Sequence, residues 1–212
     1  MQKVLLVIPM CLLLLIGGCT EEKDVMQKEL GSILTNVHEN ENKVMEYENQ
    51  LASLEKKEQI LFEKTVSFNI EDRELIESGV NRLTASLEER RELLSEEEAV
   101  IGEAEETAER LDDLPSASSD EGTRSVAKLK TALSRRYELH YEMIGLYKEL
   151  MESQNAVYEL LIEENVKRVE LEEATATVNE QRAKLEDLIQ VFNQSTLEVN
   201  SALNETQQAE PE

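Results

Sequence analysis

Apolar residues recur at alternating spacings of four and three along most of the chain, a pattern that predicts long amphipathic helices. From about Asp24 to Val66 the stripe reads Met26, Leu30, Ile33, Val37, Asn40, Val44, Tyr47, Leu51, Leu54, Glu58, Leu61 and Thr65. Spacing sustained this long predicts a coiled-coil-like seam rather than the face of a globular surface helix. Ser67-Phe68-Asn69 interrupts it, and Asn69 reads as the N-cap of a second helix with Glu71 and Asp72 in its first turn. That second block, about Ile70 to Leu111, places Ile76, Val80, Leu83, Leu87, Arg90, Leu94, Glu97, Ile101, Ala104, Ala108 and Leu111 on its seam. Each block runs about 43 residues, or ~65 Å, and the short connection implies an antiparallel hairpin. Where the seam thins to Ala104 and Ala108, helices are expected to approach closely.

Asp112 to Gly122 is the one clear loop, and Ser118 with Glu121 offers a capping box for the next helix. The third block, about Thr123 to Asn204, contains no Pro and a single Gly145, and its stripe runs from Val126 through His140 and Tyr147 to Leu203. As one rod it would be nearly twice as long as either earlier block, leaving half its stripe without an intrachain partner. Either it folds back near its middle or the overhang pairs with another molecule. Ser153-Gln154-Asn155 and Thr175 to Asn179 are the weakest helix formers in range, and folding back is the reading we favour. The fold class is therefore all-α: an elongated antiparallel up-and-down bundle of three to four long helices over residues 24–204. Residues 205–212 are polar and expected to be disordered.

Composition narrows the function classes. With 46 acidic against 22 basic residues and a formal charge of −24, the chain lacks the clustered Lys and Arg that nucleic acid or anionic lipid requires. Seven Gly and no Trp exclude Gly-rich nucleotide folds and the two-lobed α/β fold of a solute-binding lipoprotein.

The first nineteen residues place the protein outside the cytoplasm. Met1-Gln2-Lys3 precedes the uncharged run Val4 to Ile16, which is too short to span a hydrocarbon core of ~30 Å. This is the layout of a secretory signal over residues 1–18. It ends in Ile16-Gly17-Gly18-Cys19, which resembles a lipobox: the Cys19 thiol takes a diacylglyceryl group, and small residues before it admit the signal peptidase. Residues 19–23 would then be a lipid-anchored tether on the outer face of the cell membrane. Acyl chains on one residue give stable anchoring, and with Cys11 removed no disulfide remains.

Candidate chemistry is sparse. Neither His38 nor His140 has a Glu three residues earlier, so the di-iron bundle signature is missing, as are HExxH, GxSxG and the P-loop. No catalytic residue, metal site or cofactor is expected. Runs such as Glu96-Glu97-Glu98 and Glu105-Glu106 read as solvated faces. The least generic stretch is Arg135 to Lys148, where Tyr137, His140, Tyr141 and Tyr147 form a candidate binding patch suited to sugar rings or peptide stems. Bundle core with hydroxyls reaching solvent is the competing account of the same residues. Gly145 is expected to permit a tight helix crossing, and Arg90, Arg136, Arg168 and Arg182 are expected to pair with Glu across the bundle.

The lipobox, the acidic cysteine-free helical body, the Phe68-Asn69-Ile70 hinge, the Asp112 to Gly122 loop and the Arg136 to Tyr141 segment together resemble the YkyA-type lipoproteins of Gram-positive bacteria. The resemblance implies a helical bundle tethered to the outer membrane face, with a role in cell-wall binding. Two function classes fit these features. One is a structural or interaction lipoprotein whose partners are peptidoglycan or envelope proteins, with the oligomeric state open. The alternative is a peptidoglycan hydrolase or a non-catalytic activator of a wall enzyme.

Overall fold

A computed structural model describes residues 21–69, 71–114 and 120–209, with side chains from Met26 onward. The signal segment, Cys19 and Ser118 lie outside the described residues. Four helices account for nearly all of it: α1 (Glu21–Val66), α2 (Arg73–Glu109), α3 (Asp120–Leu160) and α4 (Arg168–Ala209). Among the described residues there is no strand, and no helix is long and apolar enough to cross a membrane.

The stripe positions go inward almost without exception. Of those on α2, Val80, Leu83, Leu87, Arg90, Leu94, Glu97, Ile101, Ala104 and Ala108 are all buried. Leu34, Val100, Leu139, Ile144 and Met151, one step off the 4-3 stripe, are buried too. A helix facing more than one neighbour buries a wider arc than a two-stranded seam needs.

The turns sit where local chemistry stops each helix. α1 closes with Ser67 N–H and Phe68 N–H on the carbonyls of Lys64 and Thr65, while the Ser67 hydroxyl donates to the Lys64 carbonyl over 2.7 Å. Asp72, not Asn69, occupies the N-cap position of α2, because its carbonyl accepts the first helical bond from Ile76 N–H over 3.2 Å. α2 tightens into a 3₁₀ turn at Arg110–Asp113 that buries Leu111, and Leu114 is extended at φ −63°, ψ 139°. Residue 115 is Pro, which pushes its predecessor out of the helical region.

The third block does fold back, but at neither of the two weak stretches. Helix persists through Ser153–Asn155 and Thr175–Asn179 and breaks at residues 161–167. There Leu161 and Ile162 donate to the carbonyls of Tyr158 and Glu159, and the Glu170 carboxylate reaches back 3.0 Å to Lys167 N–H, half of a capping box for α4. Arg73 fixes this turn from α2: its Nη2 donates to the Ile162 carbonyl over 3.0 Å and Nη1 lies 3.6 Å from Glu164. α4 runs to Ala209 with Thr206 buried, so the expected tail from residue 205 is helical at its start. α1 likewise begins at Glu21, inside the expected tether.

The four helices cluster into two compact units. One is formed by the described residues of 1–44, 99–141 and 189–212, the other by those of 45–98 and 142–188. Each unit takes one segment from every helix and packs it around its own core. In the first unit, Lys128 near the start of α3 pairs with Glu205 near the end of α4 at 2.6 Å, which shows antiparallel packing. In the second unit Gly79 lies close against Thr65, and a Cβ there would fall 2.2 Å from Thr65 Oγ1. Gly145 plays no such part: it is exposed and a Cβ there would meet nothing within 4 Å.

Candidate functional site

The Tyr-rich segment of α3 is bundle core rather than an outward patch. Tyr137 and Ile144, seven residues apart on one helix face, are 1% and 3% exposed, and His140 is 2% exposed. Tyr141 is half-buried and donates to Glu105 Oε2 over 3.1 Å. Tyr147 belongs to the second unit, where its hydroxyl serves an arginine. The four residues therefore do not form a common binding surface.

In the first unit, Arg136 organises a polar layer inside the core. Its Nε donates to Thr196 Oγ1 over 3.0 Å, its Nη1 donates to Glu41, and its guanidinium lies 4.6 Å from the Phe192 ring centroid. His140 packs edge-on against the same ring at 5.0 Å. Burial, with the nearby Arg136 charge, lowers the His140 pKa to about 4, so the imidazole is neutral near pH 7.

The second unit holds a larger layer around Arg90, which is fully buried. Nη1 donates to Glu58 Oε1 at 2.8 Å and to Gln154 Oε1 at 3.1 Å, and Nη2 to Tyr147 Oη at 2.8 Å and Glu55 Oε1 at 3.3 Å. Tyr158 also donates to Glu58 Oε1, over 2.8 Å. The expectation that seam arginines pair across the bundle holds for Arg90 and Arg136. Arg168 instead pairs with Glu172 one turn along its own helix, and Arg182 is exposed.

Two of the acidic runs read as solvated also differ from expectation. Glu97 is 3% exposed, and burial alone pushes its carboxyl up to about 7. Glu105 is half-buried and lines a cavity of about 650 Å³ in the first unit, together with Glu106, Glu109, Asp112 and Asp113 from α2 and its 3₁₀ turn. α3 supplies Lys130, Ser134 and Tyr137 to the same cavity, and Lys130 is paired with Asp112. A smaller cavity, about 410 Å³, lies on the α1 side of α2 beside Asn36, Glu39 and Asn40. Glu106 and Arg110 line both. The sequence carried one signal of the larger cavity, a Tyr at a core position one helix away from an acidic run.

With this architecture in hand, comparison with known proteins is decisive at one level. Residues 26–209 match the family described as "Putative cell-wall binding lipoprotein". The chain belongs to the YkyA family. The YkyA match takes in both units and all four helices from Met26 on. A crystal structure of a conserved protein of unknown function from Staphylococcus aureus shares the fold, with a TM-score of 0.73 over 92% of this chain and 97% of that one, at 18% identity. A kinesin-like protein, KIN-12G of Oryza sativa subsp. japonica, is 34% identical over 152 residues. That stretch is 72% of this YkyA-family chain but only 12% of the length of the rice protein.

Proposed function

We propose that this chain is an envelope lipoprotein, held at the outer face of the cell membrane by lipid on Cys19, whose helical body binds the cell wall or a wall-associated partner. The observation that carries this reading is the match to a family described as cell-wall binding lipoproteins over residues 26–209. The Ile16-Gly17-Gly18-Cys19 run supports the anchoring part of it. The role is non-catalytic in this reading: the buried charged groups Arg90 and Arg136 are engaged by their own neighbours, as structural polar layers are.

A chain of formal charge −24, with all its acidic residues in the body, is repelled by anionic wall polymers unless cations screen or bridge the two. Retention on isolated sacculi is therefore expected to rise with Mg²⁺, read by co-sedimentation of the purified protein. No retention with or without Mg²⁺ overturns the wall-binding reading. A zymogram of the same protein is expected to show no clearing, and a clear band overturns the non-catalytic reading.

A further inference from the structure

Lys56, Lys57, Ile60 and Lys64 share one face of α1, a turn or two apart, and all four are exposed. Lys43, Lys128, Lys130, Lys148, Lys167 and Lys184 each stand in an ion pair with a carboxylate. Lys56, Lys57 and Lys64 form none among the described residues, although acids outnumber bases 46 to 22 in the chain. The carboxylates nearest to them in sequence are engaged elsewhere. Glu58 is buried on Arg90, and Glu55 accepts from Arg90 and Tyr147. Glu63, bonded to Gln59 at 3.1 Å, is the one exposed carboxylate from Glu55 to Lys64. Amid these lysines Ile60 is 60% exposed, more than any other large apolar side chain among the described residues. Free lysines or an exposed isoleucine are each ordinary on a helix surface. Together on one face they fit a ligand whose negative charges are separated by carbon. Lysine meets an anion as a point charge, without the planar fork by which arginine reads a carboxylate, so repeated phosphates suit this face better than one oriented acid.

We propose that this face of α1 holds a linear polyol phosphodiester polymer of the wall, its phosphates against Lys56, Lys57 and Lys64 and its intervening carbons over Ile60. The inference rests on the wall-binding reading for the source of the polymer. The range of charge interactions decides the class of partner. At physiological ionic strength the field of an exposed charge fades over ~8 Å, so a thin chain laid on α1 meets the lysines and little of the acidic surface beyond. An anionic membrane or a second copy presents an extended surface and meets both. Here the protein supplies the cations itself, and this contact needs no Mg²⁺.

The test is fluorescence anisotropy of a labelled glycerol phosphate oligomer with full-length protein in neutral detergent micelles containing EDTA. Binding is expected without divalent cations, and it should weaken roughly tenfold to twentyfold between 50 and 200 mM NaCl, as for three phosphate contacts. Lys56→Gln, Lys57→Gln and Lys64→Gln combined should weaken it by about tenfold or more. A control of equal net charge combines Lys43→Gln, Lys148→Gln and Lys184→Gln, which are paired lysines, and should leave affinity within about twofold. All six side chains are exposed, so both triple variants are expected to keep the fold, checked by circular dichroism. No binding of the oligomer, equal losses in the two triple variants, or equal affinity for polyglutamate each overturns the proposal. In place of oligomer binding, two lysine-dependent results would reassign the face and overturn it as well. A preference for phosphatidylglycerol over phosphatidylcholine vesicles assigns it to a membrane, and self-association in the ultracentrifuge assigns it to a second copy. Sacculus retention measured with Mg²⁺ separates the failures: retention without oligomer binding refutes this face and spares the wall-binding reading.

Discussion

Arg90 donates from Nη1 to Glu58 Oε1 over 2.8 Å, with both side chains shut off from solvent inside a four-helix core. Removing the guanidinium leaves Glu58 buried without its cation, while the Tyr147 hydroxyl keeps its own 2.6 Å bond to Glu55. Arg90→Ala is expected to cost about 3–5 kcal/mol, measured by urea unfolding with helical circular dichroism. Arg90→Met together with Glu58→Leu should recover a substantial part, since no charge is then left uncompensated. A double variant no better than the single would show that packing, not charge, sets the loss.

Two glycines on long helices should respond in opposite directions to alanine. Gly145→Ala meets open space and gains helix propensity, so a rise of up to about 1 kcal/mol is expected. Gly79→Ala places its Cβ 2.2 Å from Thr65 Oγ1 and 2.7 Å from Cγ2, on a side chain 1% exposed, and a loss of about 1–3 kcal/mol is expected. Adding Thr65→Ala removes both clashing atoms and should restore most of it. Thermal melts of the three variants check the set.

Glu97 gives the stability a slope against pH. Its carboxyl titrates at about 7 in the folded state and at 4.5 in the ordinary range, so the fold holds a proton that the unfolded chain has released. That contribution is fully present below about pH 4.5 and is lost as pH rises through about 7, a change on the order of 3 kcal/mol. His140 works the other way: its pKa falls to about 4 from 6.5, and stability is lost on acidification through that window. Glu97→Gln keeps His140 and mimics the neutral acid. Between pH 5 and pH 8 it should therefore lose less melting temperature than wild type, and parallel curves would refute the buried-acid assignment.

Cys19→Ala should abolish lipidation without touching the bundle, whose first buried side chain among the described residues is Met26. Radiolabelled palmitate is expected in wild type and not in the variant. The variant should accumulate as uncleaved precursor or be released, because the acidic body has no electrostatic hold on an anionic membrane. Wild type without label would defeat the anchoring proposal.

The helical stripes were legible because each depends on a repeat of four and three that survives polar substitutions; Asn40, Glu58, Thr65, Arg90 and Glu97 sat on the pattern and are buried. Reading Glu97 as part of a solvated acidic run failed because the run was read by its charge, although the stripe had placed Glu97 on the seam. The turn at residues 161–167 was illegible since it contains neither Gly nor Pro; Arg73 and Glu170 hold it, one of them from a distant helix. The Tyr137 to Tyr147 patch failed for a related reason. Period alone places Tyr137 and Tyr141 on one face, but whether that face looks outward is decided by Phe192, Thr196 and other residues far along the chain.

Arg90 also acts as a vernier for the second unit. Leucine layers repeat every seven residues, so a helix that slid by one heptad, ~10.5 Å, would find apolar partners again. The same slide of α1 would set Leu51 or Thr65 at the height of Arg90 in place of Glu58, facing a guanidinium with groups that cannot neutralise it. One mismatched layer thus makes a one-heptad slip of that segment expensive, which a core of leucine alone cannot do.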